Sequence, residues 1–204
     1  MTTSSPIETD SPNGCIKAYA LIALGANLPS DDHSPSETLE AALSALAAVG
    51  LSPVARSRWY RSAAFPPGSG PDFVNGAAHL SCPPDATPET VLAALHEVER
   101  GLGRERRERW APRVCDLDLI AMGDALLPDR ATLAHWMAIP PEEARHVLPE
   151  TLLLPHPRLH ERGFVLAPLA EIAADWRHPL TGLSVAEMLA ALPEEALEGL
   201  APLE

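Results

Sequence analysis

Two aspartates and two arginines share a ten-residue stretch in the middle of the chain, RWAPRVCDLD, which begins at Arg109. Its second half has the apolar alternation of a strand, so Asp116 and Asp118 are expected side by side on one face. Neighbouring carboxylates repel each other, and a divalent cation that prefers oxygen ligands, such as Mg²⁺, removes that cost. A guanidinium group can bind a phosphate through two parallel hydrogen bonds. A metal and arginines acting on one phosphate chain predict phosphoryl-type transfer.

The charge distribution also favours a small anionic ligand. The net charge of -13 disfavours nonspecific binding to nucleic acid. Yet six of the fifteen basic residues lie within positions 100–113: Arg100, Arg104, Arg106, Arg107, Arg109 and Arg113. A local cationic patch on an acidic protein indicates a small anion rather than a polyanionic surface.

Other features of the composition point to the cytoplasm. The cysteines, Cys15, Cys82 and Cys115, lack C-x-x-C spacing, which favours free thiols in a reducing compartment. Residues 1–16 are rich in Ser, Thr and Pro and predict a disordered tail, with none of the basic and apolar segments of a signal peptide. No apolar run reaches the length of a membrane span. We expect a cytoplasmic protein with no membrane partner.

Residues 17–204 are predicted to form one domain, which starts with the element order β-α-β-β-α-β. The strands are expected at 18–24, 54–61, 73–81 and 114–122, and the helices between Ser34 and Gly50 and between Thr87 and Gly103. This order predicts an α+β, ferredoxin-like fold with one antiparallel or mixed sheet. Both helices should cover one face, leaving the other open for ligands. Helical additions are expected at 164–174 and from Ser184 through Leu192.

Short motifs in this order resemble the family of 6-hydroxymethyl-7,8-dihydropterin pyrophosphokinases, enzymes of folate biosynthesis. They are ALGANL at 23–28, RWYRS at 58–62, DFVN at 72–75, the stretch from Glu99 to Arg104, RWAPRVCDLD, LPHPR at 154–158 and RGF at 162–164. The resemblance covers nearly all of the chain except the tail. It implies transfer of the pyrophosphoryl group of ATP to the hydroxymethyl oxygen of a reduced pterin, with release of AMP.

The resemblance also implies roles for particular residues. Two Mg²⁺ ions would be held by Asp116 and Asp118. Catalysis would involve Arg104, Arg106, Arg109, Arg113, Asp116 and Asp118. ATP would contact Glu99, Arg106, Arg109, Trp110, Arg113, Leu119, His156 and Arg162. The pterin would contact Ser62, Ala63, Phe65, Phe73, Asn75 and Phe164. Its ring would stack between Phe73 and Phe164, and the amide of Asn75 would form hydrogen bonds with its edge.

The chain departs from the family pattern in two regions. The arginine loop is about one residue shorter than in the best-known members, which leaves the individual roles of Arg104, Arg106 and Arg107 open. The span between Asp118 and His156 is about twenty residues longer than in compact members and exceeds an ordinary loop. This insertion, residues 127–151, is interpreted as a lid, an oligomer contact or inert surface. A monomer or weak homodimer with small-molecule substrates is expected.

Three other functions compete with this interpretation. A non-catalytic nucleotide-binding module could use the same scaffold, although it has little use for two metal-holding carboxylates. A metal-dependent phosphohydrolase would use water as acceptor, which needs no aromatic stacking platform. An RNA-binding ferredoxin-like domain is disfavoured by the charge of -13 and by the lack of an RNP-like aromatic string.

Overall fold

The structure, a computed structural model, describes residues 18–29, 33–64, 70–103, 114–144 and 146–203. The predicted tail at 1–16 and most of the arginine loop lie outside these ranges. The strands are β1 (Tyr19–Ala26), β2 (Ser52–Arg56), β3 (Tyr60–Ser62), β4 (Phe73–Ser81), β5 (Asp116–Met122) and β6 (Ala201–Pro202). The helices are α1 (Pro35–Ala48), α2 (Pro88–Gly101), α3 (Arg130–Ala138), α4 (Pro141–Ala144), α5 (Gly163–Ala173) and α6 (Val185–Ala190). Two 3-10 turns span Leu159–Glu161 and Glu194–Leu197.

The sheet has the strand order expected of the ferredoxin-like fold. Its order is β5-β1-β4-β3-β6, and β2 pairs with β4 beside β3. Every named pair is antiparallel, which decides between the two sheet types left open by the sequence. The predicted βαββαβ core is therefore confirmed, with β2 and β3 together taking the place of the second strand.

The predicted strand at 54–61 is wrong in one respect, because the chain leaves the ladder between Arg56 and Tyr60. Ser57 replaces regular pairing there: its N–H donates to the carbonyl of Ala77 (3.0 Å) and its hydroxyl accepts from the N–H of Ala77 (3.0 Å). The detour lets the ring of Trp59 lie on Gly76, where a Cβ would come within 2.4 Å of the indole. Only glycine fits under this ring.

Helices α1 and α2 cover one face of the sheet, as the sequence predicts. Their apolar stripes are buried against the strands, including Leu39, Leu43 and Leu46 of α1 and Val91, Leu95 and Val98 of α2. Each fully buried leucine contributes about 1.5–3 kcal/mol. Capping boxes fix the first turns at Ser34, Thr87 and Ser184, where side-chain oxygens accept the otherwise unpaired backbone N–H groups. The last predicted helix ends at Ala190 rather than at Leu192.

The second face is only partly open, which corrects the expectation that all of it is free for ligands. Helices α5 and α6 bury an apolar cluster against it, which includes Leu166 and Leu169 of α5 and Leu21 and Ile120 of the sheet. The physical reason is the apolar side of α5 itself, which needs a partner surface. The end of the face that carries Asp116 and Asn75 lies outside this cluster.

The 127–151 segment contains α3 and α4 and is attached to the body near its start and at Ile139. Leu127 forms a bridge with Leu154. The guanidinium of Arg130 donates to the carbonyls of Pro179 and Leu180, each at 3.2 Å, and that of Arg158 donates to the carbonyl of Ile139 at 2.8 Å. None of these contacts decides between the lid, oligomer-contact and surface interpretations. Among the described residues, no helix is long and apolar enough to cross a membrane.

Candidate active site

A row of paired residues crosses the open end of the second face. Gly25 of β1 lies opposite Asp116 on one side and Asn75 on the other, and Tyr60 of β3 lies opposite Asn75. Directly opposed residues of an antiparallel pair point to the same face. Asp116 and Asn75 therefore share this face, two strand spacings or about 10 Å apart. Gly25 leaves the floor between them without a side chain; a Cβ there would contact the Asn75 Oδ1 at 3.6 Å.

Asp118 lies two residues along the same strand, opposite Ala23. Its Oδ2 is 3.9 Å from a guanidinium nitrogen of Arg162, and both side chains are partly exposed, at 42% and 33%. The guanidinium carbon of Arg162 also lies 5.8 Å from the centre of the Phe164 ring. One arginine thus joins the acidic pair to an aromatic ring that is 40% exposed.

His156 is held beside the acidic pair as a neutral imidazole. Its backbone N–H donates to the Ile120 carbonyl of β5 at 2.8 Å. Burial, reinforced by the charges of Arg162 and Arg158, lowers the pKa of His156 to about 3, while Asp116 opposes the shift. The Nδ1 accepts the backbone N–H of Arg158 at 3.1 Å, so the neutral ring carries its proton on Nε2. His156 can therefore donate a hydrogen bond without adding positive charge.

Asn75 and Ser62 form the polar part of the other side. The Asn75 Nδ2 donates to the Ser62 Oγ at 2.9 Å across the β3–β4 pair, and Asn75 is 5% exposed. Phe73 is paired directly with Ser62 and is partly exposed. Because 73 and 75 are alternate residues of β4, Phe73 and Asn75 point to the same face. Ala63, which follows the last residue of β3, is exposed.

Glu99 lies behind the acidic pair rather than on the open face. It is 1% exposed, and its Oε1 accepts the backbone N–H of Leu117 at 2.8 Å. Leu117 separates Asp116 from Asp118, so this carboxylate fixes the strand at the residue between the two acids. Leu119, another predicted ATP contact, is buried in the cluster under α1 and α2, and its side chain is not brought to the face of the aspartates.

A network that the sequence did not indicate ties α5 to the sheet. The carboxylate of Glu171 accepts three hydrogen bonds. Two come from Arg58, from its backbone N–H and its side-chain Nε–H (both 2.8 Å), and the third comes from the hydroxyl of Tyr60 (2.6 Å). Burial raises the pKa of Glu171, but these hydrogen bonds outweigh it and hold the pKa below its ordinary value. The partners lie more than one hundred residues apart in sequence, and no local pattern pairs them.

The described part of the chain therefore brings together Asp116, Asp118, His156 and Arg162, with Phe164 beside Arg162. Ser62, Phe73 and Asn75 lie on the other side of the same face. Six further predicted site residues lie outside the described ranges: Phe65, Arg104, Arg106, Arg109, Trp110 and Arg113.

Comparison with known proteins shows the family of this chain. The profile of the 7,8-dihydro-6-hydroxymethylpterin-pyrophosphokinase (HPPK) family matches residues 21–174. The chain belongs to the HPPK family. The 2-amino-4-hydroxy-6-hydroxymethyldihydropteridine pyrophosphokinase of Synechocystis is 37% identical over 195 residues, covering 95% of this chain and 85% of that protein. The enzyme of the same name from Pseudomonas aeruginosa is 37% identical over 180 residues, covering 88% of this chain and 94% of that protein.

Solved structures agree on the fold. The crystal structure of wild-type HPPK-DHPS from Plasmodium falciparum superimposes with a TM-score of 0.58 at 11% identity, covering 85% of this chain and 44% of that one. The chain thus spans less than half of that longer protein, and at this identity the likeness concerns the fold alone. The HPPK family assignment and the ferredoxin-like fold predicted from the sequence are both confirmed.

Proposed function

We propose that this protein is an HPPK enzyme that transfers the pyrophosphoryl group of ATP to the hydroxymethyl oxygen of 6-hydroxymethyl-7,8-dihydropterin, giving the pterin diphosphate and AMP in folate biosynthesis. The observation that carries the proposal is the 37% identity to pyrophosphokinases over 95% and 88% of the chain. The open end of the sheet supports it, because an acidic pair and an amide-lined edge share one face about 10 Å apart. The predicted cytoplasmic location, monomeric or weakly dimeric state and single domain at 17–204 stay predictions.

The acidic pair suits Mg²⁺. Asp116 and Asp118 offer hard carboxylate oxygens on one face, above a floor in which the opposite residues, Gly25 and Ala23, are small. Mg²⁺ is commonly held by one or two carboxylates and completed by phosphate oxygens and water. When bound, the ions would neutralise the triphosphate and the charge that develops during transfer.

The residues around the pair would orient the phosphates. Arg162 reaches to 3.9 Å from Asp118, so a phosphate oxygen near this carboxylate lies within reach of its guanidinium fork. His156 would donate from Nε2 as an uncharged group. Transfer requires an in-line approach of the acceptor oxygen, and positioning supplies most of the rate. We extend the phosphate-orienting role to Arg104, Arg106, Arg109 and Arg113. Trp110 would cover the nucleotide.

The opposite side would bind the pterin. Asn75 presents both a carbonyl and amide N–H groups, which match the mixed donors and acceptors of a pterin edge. Ser62 orients this amide through the 2.9 Å hydrogen bond. Phe73 and Phe164 offer aromatic surface on the same face, and a flat heteroaromatic ring gains about 0.5–1.5 kcal/mol from each well-placed partner. Arg162, which contacts Phe164, lies between the two ligands.

The test is incubation of the full chain with ATP, Mg²⁺ and 6-hydroxymethyl-7,8-dihydropterin, followed by measurement of AMP. Acceptor-dependent AMP formation supports the proposal. Release of ADP, or nucleotide hydrolysis without the pterin, would instead indicate a phosphohydrolase. Nucleotide binding without turnover would indicate a binding module.

Variants of the acidic pair sharpen this experiment. Asp116→Ala and Asp118→Ala should each lower kcat on the order of a thousandfold or more, because they remove several kcal/mol of charge stabilisation. The matched control is Asp85→Ala, which removes an exposed aspartate from the turn before α2. An Asp116 or Asp118 variant as active as the Asp85 variant would remove the metal-holding role from that aspartate.

A further inference from the structure

The last ten described residues contact both walls of the pterin side of the candidate site. This C-terminal segment, residues 194–203, comprises the 3-10 turn Glu194–Leu197 and strand β6. The sequence predicted neither element, and the HPPK profile ends earlier, at residue 174. The segment therefore lies outside the part of the chain that the family profile matches.

On the first wall, the segment pairs with the short strand β3. Tyr60 lies opposite Pro202 and Arg61 opposite Ala201. The backbone N–H of Leu203 donates to the carbonyl of Trp59 at 2.7 Å. Strand β3 is three residues long, and it ends at Ser62, the partner of Asn75. Without β6, this strand would form the edge of the sheet, held by backbone pairing on one side.

On the second wall, the segment packs directly on the start of α5. A Cβ at Gly163 would lie 2.2 Å from the carbonyl oxygen of Ala196 and 2.8 Å from a methyl group of Leu197. Real Cβ atoms do not approach a backbone oxygen this closely, so Gly163 is the residue that permits the contact. Its chain neighbours are Arg162, beside Asp118, and Phe164, the exposed ring.

Other contacts hold α5 to the sheet at different places. Glu171 ties α5 to Tyr60 at a point seven residues beyond Phe164, or about 10 Å along the helix. Val165 and Leu166 bury the inner side of the first turn in the apolar cluster on the sheet. The contact of Ala196 with Gly163 adds a link at the start of the helix, beside Phe164, to the segment that pairs with β3.

We propose that the C-terminal segment 194–203 is a positioning element that sets the separation between the Ser62 wall and the Phe164 wall, and thereby the affinity for the pterin. The inference rests on the proposed function, because it assigns the pterin to this space. It predicts that loosening the β6 end of the segment, which pairs with β3, weakens pterin binding and leaves nucleotide binding unchanged, since Asp116, His156 and Arg162 lie on other elements. A change at Gly163 also reaches its neighbour Arg162 and is expected to weaken the binding of both ligands.

Two full-length variants test it, each with a matched control. Leu203→Pro removes the N–H that binds Trp59, whereas Leu203→Ala shortens the side chain and keeps that N–H. Gly163→Ala drives a methyl group into Ala196, whereas Gly101→Ala adds one where no atom lies within 4 Å. Pterin affinity is measured by equilibrium titration in the presence of an unreactive ATP analogue, and the affinity for the analogue is measured separately. KM for the pterin and kcat are then obtained for each protein.

The expected result is a pterin affinity about tenfold weaker in Leu203→Pro and Gly163→Ala, comparable to losing one aromatic face. Both controls should match the wild type. The affinity for the ATP analogue should be unchanged in Leu203→Pro and in both controls, and weaker in Gly163→Ala, because Arg162 adjoins that residue. Wild-type pterin affinity in Leu203→Pro and Gly163→Ala would overturn the inference. An equal loss for both ligands in Leu203→Pro, or a loss that tracks unfolding, would do the same by assigning the segment a general structural role. Failure of the proposed function would be seen separately, as a wild-type protein that forms no AMP.

Discussion

Glu99 offers the sharpest test of how the fold positions the acidic pair, because two roles for it predict different results. Its buried carboxylate accepts the N–H of Leu117 at 2.8 Å, between the two aspartates. A hydrogen bond to a charged group contributes about 1.5–3 kcal/mol. Glu99→Ala also removes buried methylene groups, so the free energy of unfolding should fall by about 2–4 kcal/mol. Glu99→Gln keeps an oxygen that can accept the same bond and should lose about 1 kcal/mol.

The consequence for catalysis follows from the strand geometry. If the strand relaxes by about 1 Å at Leu117, the aspartates on either side shift with it, and such a displacement can cost on the order of a hundredfold in rate. Urea unfolding and steady-state kinetics are measured on Glu99→Ala and Glu99→Gln under conditions where both are folded. We expect Glu99→Ala to lose kcat and Glu99→Gln to retain most of it.

Two results would refute this reasoning. A folded Glu99→Ala protein with wild-type kcat would show that the strand does not need the anchor. An equal loss of kcat in both variants would show that the negative charge itself is required, as a direct role toward ATP demands.

Three further predictions concern stability. Burial lowers the pKa of His178 to about 4, so on acidification this histidine is protonated first in the unfolded chain. Its contribution to the unfolding free energy should be complete above pH 6.5 and fall by roughly 2–3 kcal/mol towards pH 4. In urea unfolding, His178→Asn should lack this part of the pH dependence. Tyr60→Phe should lower the unfolding free energy by about 1–2 kcal/mol, and a double-mutant cycle with Glu171→Gln should show coupling between the two sites. Ser184→Ala removes a cap that accepts the Glu187 N–H and should cost about 1 kcal/mol by thermal unfolding, whereas unchanged stability would mean that the packing of α6 suffices.

Local signals in the sequence determined the elements of the core and the residue types of the site. Ser34, Thr87 and Ser184 mark helix starts because a capping box satisfies N–H groups within four residues of itself. The alternation through Asp116 and Asp118 likewise depends only on the period of a strand. The family motifs carried the function, and the relatives confirm that assignment.

Tertiary structure alone decided the contacts between distant segments. Glu171 meets Tyr60 and Arg58 because α5 lies across the second face, and the chain that separates them carries no local trace of this pairing. Likewise, the sequence places Gly163 in the RGF motif, but only the structure shows the carbonyl of Ala196 where its Cβ would be. Such contacts depend on the path of the whole chain, whereas periodicity and capping report on neighbours a few residues apart, and this is why the sequence yielded the elements but not the bracing between them.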